Sequence, residues 1–182
     1  HGMAEAAAAL KASNTNISGL AVATVDEAIR LRQIEAELPI LLLNGFMNEE
    51  ELRECLARRI EAVVHADYQL GALEKVLAEE VLGDARKFWI KYNTGMNRLG
   101  LGKRQAYEFY LRLQKCPNTE LVLMSHLACA DDPYSKEFAS FTQQQLQYLA
   151  ELRGELVTAS KQDVECSMAA SAGILQWPDT HL

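Results

Sequence analysis

The stretch KYNTGMNRLGLGKRQ, residues 91–105, sets Lys91 and Arg98 on either side of a turn rich in asparagine and glycine. The apolar run before it reads as a strand. Alternation puts Trp89, Lys91 and Asn93 on one face of that strand and Phe88, Ile90 and Tyr92 on the other. If the Trp89 face points inward, the Lys91 ammonium sits where desolvation is costly unless the charge is paired. Two readings stay open. The side chain snorkels to water at the mouth of the sheet, or the amine is neutralised, chemically modified or paired with an anion. Arg98 offers a fork of donors that suits a phosphate, carboxylate or phenolate, although a solvated arginine is the commoner case. His126 closes another apolar run, and taken singly such a histidine is more often a packing residue than a catalyst. Ser171-Ala172-Gly173 is a small-residue turn whose backbone N–H groups could receive a phosphate.

These residues need elements to hold them, and the chain alternates strand and helix signals throughout. Strands are expected at Ile17–Ala23, Pro39–Gly45, Ile60–His65, Lys87–Asn93, Leu121–Leu127 and Val164–Ala169. Between them, apolar residues at helical spacing mark Asp26–Glu37, Glu49–Arg58, Gln69–Leu82, Gly102–Leu113 and Thr142–Thr158, with an alanine-rich helix, Met3–Lys11, at the start. Asn48 with Glu51 forms an N-cap signal, Asp67 precedes its helix, and Thr142 opens a glutamine-rich one. Such alternation implies parallel strands joined by helical crossovers.

Two α/β architectures fit, a doubly wound sheet or a (β/α) barrel. The first strand runs into Ala23-Thr24-Val25-Asp26 without the GxGxxG turn of a dinucleotide fold. Polar residues instead close several strands, namely Asn44, His65, Asn93, His126 and Ser171, as in a barrel whose site is assembled from many βα loops. A barrel has eight strands and about 250 residues, whereas only about six strands are legible here. An incomplete TIM-type (β/α)8 barrel, with its first and last strands missing, is expected over an open sheet with two long unpaired edges.

Composition narrows the rest. The 182 residues are 49% hydrophobic and 24% charged, with a net charge of −7, which argues against a nucleic-acid partner. No apolar run is long enough to span a membrane, and no signal peptide is legible. Cys55, Cys116, Cys129 and Cys166 show no CxxC and no Cys/His cluster. They read as reduced thiols of a cytoplasmic protein, and no metal site is expected.

In order along the chain, KYNTGMNRLGL (91–101), SHLACADDP (125–133), FTQQQL (141–146) and SMAASAGILQWPDTHL (167–182) resemble the N-terminal barrel domain of the alanine racemase family. GLAVATVDEAIRLRQ (19–33), PILLLNGF (39–46) and VVHADYQLGAL (63–73) extend the resemblance over essentially the whole chain. The family implies a fold-type III pyridoxal 5'-phosphate enzyme that interconverts L- and D-alanine for peptidoglycan synthesis and acts as a homodimer. By resemblance, Arg98 contacts the phenolic oxygen of the cofactor, His126 lies beside the pyridine ring, and Ser171 binds the phosphate. Lys91 matches a lysine often carbamylated in the family, whose new negative charge would hold Arg98.

No catalytic base is expected among these residues. The Schiff-base lysine lies in a Lys-Ala-Asn-Ala-Tyr-Gly motif that precedes His-Gly in the family, and this chain begins with His1-Gly2. The second base is a tyrosine of the partner subunit's C-terminal domain. Residues 1–182 are therefore expected to be a partial barrel domain, with the β-rich C-terminal domain outside them, inactive alone, and His1-Gly2 to be native sequence. Alternatives are a catalytically empty barrel remnant that acts as a binding module, or a fold-type III racemase of broader specificity. Two positions depart from the family pattern: Ala170 stands before Ser171 where asparagine is usual, and Asn93 where many members have aspartate.

Overall fold

A computed structural model describes residues 2–13, 16–79 and 84–181. His1, the expected helix end at Leu82 and the final Leu182 lie outside the described residues. The elements run α1 (Met3–Ala12), β1 (Leu20–Val22), α2 (Val25–Ile34), β2 (Ile40–Leu42), α3 (Glu49–Ala57), β3 (Ile60–Val64), α4 (Asp67–Glu79), β4 (Arg86–Lys91), α5 (Lys103–Leu113), β5 (Thr119–Met124), α6 (Lys136–Ser160), β6 (Glu165–Ser167) and α7 (Ser171–Gln176), with a 3-10 turn at Pro178–Thr180.

Among the described residues the six strands form one parallel sheet in the order β1-β2-β3-β4-β5-β6. A doubly wound sheet reverses its strand order at a switch point; this one never does. The strands curl into an incomplete TIM-type barrel. Every second side chain faces the helices: Ile40 and Leu42, Ala62 and Val64, Phe88, Ile90 and Tyr92, and Cys166 are buried there in two clusters. The opposite face carries Leu41, Glu61, Lys87, Trp89 and Glu165, which line a cavity of about 330 Å³ reaching from β1 to β6. The Trp89 indole N–H donates to Glu61 Oε2 at 2.7 Å, so this half-buried carboxylate has a partner. Burial still pushes its pKa up, against the indole hydrogen bond.

The helices start where their capping residues dictate. Thr24 accepts from Glu27 N while the Glu27 carboxylate accepts from the backbone of Ala23 and Thr24, a reciprocal cap on α2. Asn48 Oδ1 accepts from Glu51 N at 2.9 Å. Helix α6 corrects the expectation for Thr142. It begins six residues earlier, at Lys136, with Ser135 as its N-cap. The turn before it is held by Asp132 Oδ1, which accepts from Tyr134 N and Ser135 N. Thr142 is fully buried within the helix. Strands are shorter than expected because the chain leaves the ladder at the rim: Gly45 follows β2 at φ 65° and Gly95 follows β4 at φ 138°. The expected small-residue turn at Ser171 is the first turn of α7. No described helix is long and apolar enough to cross a membrane.

Candidate functional site

Lys91 is the last residue of β4, on the lumen face as the alternation requires, and only 8% exposed. The loop that follows returns on itself. At its neck, Asn93 N donates to Leu101 O and Leu101 N donates to Lys91 O, at 2.9 and 2.8 Å. At its tip, Asn93 Oδ1 accepts from Gly95 N and Asn97 N, both at 3.1 Å, while Asn93 Nδ2 donates to Asn97 Oδ1 at 2.9 Å. Asn97 is itself left-handed, with φ 57°, a conformation asparagine tolerates better than most residues. This loop presents Arg98, which is exposed. Asn93 therefore has a structural explanation. Aspartate would keep the acceptor but lose the donor to Asn97.

Lys91, Arg98 and His126 line one small cavity at the C-terminal rim of β4 and β5. Burial lowers the Lys91 pKa, and the Arg98 charge lowers it further. Burial likewise lowers that of His126, with Lys91 and then Arg98 adding to the effect. Among the described residues, no ion pair engages Lys91 or Arg98, although most of the other basic residues are paired on the surface. The arrangement is a partly desolvated, electropositive pocket without its own counter-charge, suited to an anionic oxygen.

Ser171 is not among the residues lining that cavity. It is exposed at the first position of α7. This short helix is tied to the segment after His126: the Trp177 indole donates to Ala130 O at 2.9 Å, and Gly173 lies against Leu127. A Cβ at Gly173 would stand 3.4 Å from Leu127 Cδ1.

The family described as alanine racemase, N-terminal domain, matches residues 1–182. This chain belongs to that family. The alanine racemase of Edwardsiella ictaluri is 39% identical over 184 aligned residues, covering 100% of this chain and 46% of that protein. That of Yersinia pestis is 41% identical over 88% of this chain and 41% of the relative. The crystal structure of the biosynthetic alanine racemase from Pseudomonas aeruginosa superposes with a TM-score of 0.80 at 30% identity, over 100% of this chain and 46% of that one. The chain thus spans under half the length of these relatives.

In this barrel, sequence reasoning missed three buried polar residues behind the rim pocket: Thr94, Ser125 and Gln145. Gln145 Nε2 donates to Thr94 Oγ1 at 3.0 Å and to His126 O at 3.1 Å, and its Oε1 accepts from Ala128 N at 2.9 Å. Ser125 Oγ donates to Tyr92 O at 2.8 Å and lies 2.8 Å from Thr94 Oγ1. The sequence does carry a signal. Gln145 falls on the buried stripe of α6 with Thr142, Leu149, Leu152 and Leu156, and a glutamine on such a stripe needs partners.

Proposed function

We propose that this chain is the cofactor-supporting part of an alanine racemase, a cytoplasmic, homodimeric enzyme that interconverts L- and D-alanine with pyridoxal 5'-phosphate. One observation supports the reading most: Lys91, Arg98 and His126 surround a single rim cavity with no carboxylate of their own, in a chain that matches the family throughout. The residues present fit the cofactor, because its phenolic oxygen is an anion of the kind such a pocket lacks. When bound, the cofactor supplies the electron sink for removal of the α-proton. Arg98 would donate to the phenolic oxygen, and His126, whose pKa is lowered by burial and by Lys91 and Arg98, would stand beside the ring. Lys91 as a carbamate places a negative charge next to Arg98 and removes the cost of a buried lone ammonium. Ser171 at the start of α7 is the proposed phosphate ligand, where Ala170 supplies no side-chain contact.

The bases on the two faces of the substrate correspond to no residue of this chain. The expected outcome is that these 182 residues with added pyridoxal 5'-phosphate form no D-alanine from L-alanine. Turnover above the cofactor-only blank, followed by chiral chromatography, would sink that reading. With 13C-bicarbonate, a carbamate carbon resonance is expected that is absent from Lys91→Met.

A further inference from the structure

We propose that Gln145 is a positioning residue that clamps the loop carrying Arg98 to the segment carrying His126. The clamp rests on the reading of that rim as the cofactor site, and it concerns what keeps the two side chains in register. Both orientations of the Gln145 amide can be tested against its neighbours. Ala128 N–H needs an acceptor and His126 C=O needs a donor, so Oε1 must face the first and Nε2 the second. The remaining protons then follow. Ser125 commits its only hydroxyl proton to Tyr92 O, so Thr94 donates to Ser125 and accepts from Gln145. The chain of bonds runs one way, from α6 through Thr94 and Ser125 to the end of β4.

Every polar atom of the Gln145 amide is thereby used, in a side chain that is fully buried. Packing alone does not call for it, since leucine occupies the same stripe at 149, 152 and 156. A buried amide costs free energy relative to an apolar side chain unless its partners are fixed. What glutamine adds is the link between two rim segments that no backbone ladder joins beyond β4 and β5. The same device recurs at Gln69. Its Oε1 accepts from His65 N and Ala66 N, and its Nε2 donates to Phe46 O, joining the ends of β3 and β2. Gln69 is equally buried and supplies a matched control.

The test is an NMR titration of the His126 imidazole in the full chain. In Gln145→Leu, His126 is expected to titrate at higher pH than in the wild type, because its ring is released from burial and from Lys91 and Arg98. Gln69→Leu, which removes a comparable buried amide elsewhere, is expected to leave the His126 titration at the wild-type value. If Gln145→Leu does not fold, Thr94→Val keeps the volume and removes only the hydroxyl link, and a smaller shift in the same direction is expected. The clamp is overturned if a folded Gln145→Leu titrates as the wild type, if Thr94→Val does so when it alone folds, or if Gln69→Leu shifts His126 as much. Pyridoxal 5'-phosphate added to the wild type should perturb the His126 and Arg98 resonances. No response there would overturn the cofactor-site reading while the titration still decides the clamp.

Discussion

Replacing Gly95 by alanine tests whether the Arg98 loop is held in one shape. The φ of Gly95 is 138°, and a Cβ built there would stand 2.7 Å from Phe141 Cζ on α6. Backbone strain at such a φ costs about 1–3 kcal/mol for a residue with a Cβ. The steric part is smaller, because the obstacle is the tip of a half-buried ring that can swing aside, so overpacking should add only about 1 kcal/mol. The sum is about 2–4 kcal/mol, read as a lower urea midpoint at an unchanged slope. Phe141→Leu in the Gly95→Ala background should recover only the steric share, a coupling of about 1 kcal/mol.

Gly45 provides the contrast. Its φ of 65° is the less costly left-handed region, but a Cβ there would run into Val63 O and the Gln69 amide. A strand carbonyl cannot step aside, so Gly45→Ala should cost more than Gly95→Ala despite the easier backbone. Gly71 lies within α4, and a Cβ there would meet nothing within 4 Å, so alanine at that position should gain about 0.5–1 kcal/mol. A neutral Gly95→Ala would refute the strain assigned to this loop. So would a cost unchanged by Phe141→Leu, or a Gly45→Ala milder than Gly95→Ala.

Glu35 closes α2 with Oε1 accepting from Glu37 N and Leu38 N and Oε2 from Lys11 Nζ. These bonds, the backbone ones foremost, lower its pKa from 4.5 to about 2. A depressed carboxyl stabilises the fold above its unfolded pKa and loses that contribution as pH falls through the folded value. The wild type should therefore lose stability between pH 4.5 and about 2 that Glu35→Gln does not lose, seen in acid unfolding followed by circular dichroism. Arg32 donates to the carbonyls of Glu35, Leu38, Arg58 and Arg59. Arg32→Met should cost about 2–3 kcal/mol in urea unfolding, from the loss of charged donors to carbonyls that keep their need; a neutral result would show that water replaces the guanidinium.

Sheet order and face assignment are legible in the sequence because a parallel strand covered by helices is apolar on one face, and the runs around Ile40, Ala62, Phe88 and Cys166 all show it. Lys91 stands out as a cation on the other face. Local polar chemistry is harder to read. The first turn of α6 is largely exposed between Lys136 and Ser140, so it carries no apolar period, and its Asp132–Ser135 cap gives no periodic signal. Asn93 reads from the sequence as a missing charge, whereas its amide bonds to Asn97, a pairing that depends on two side chains meeting across a turn. Gln145 is hidden for a similar reason. Its partners lie 51 and 19 residues away in the chain, and no periodicity reports hydrogen bonds formed across elements.

The placement of charge carries the last step. The chain is acidic overall, with a net charge of −7, and its surface cations are drawn into pairs such as Arg112 with Glu74 and Lys103 with Glu155. Exposed pairs of that kind stabilise little, about 0–1 kcal/mol each. Lys91 and Arg98 stand together at the rim pocket, one buried and one exposed, and the Arg98 charge adds to the cost that burial sets on charging Lys91. Two like charges beside a low-dielectric wall are tolerated when an anion enters between or beside them. The proposed carbamate on Lys91 would supply that charge from within and hold Arg98 beside it; a bound phenolate would supply it from without. Both satisfy the same electrostatic demand, and Asn93, which leaves the pocket without a fixed carboxylate, keeps that demand open for a ligand.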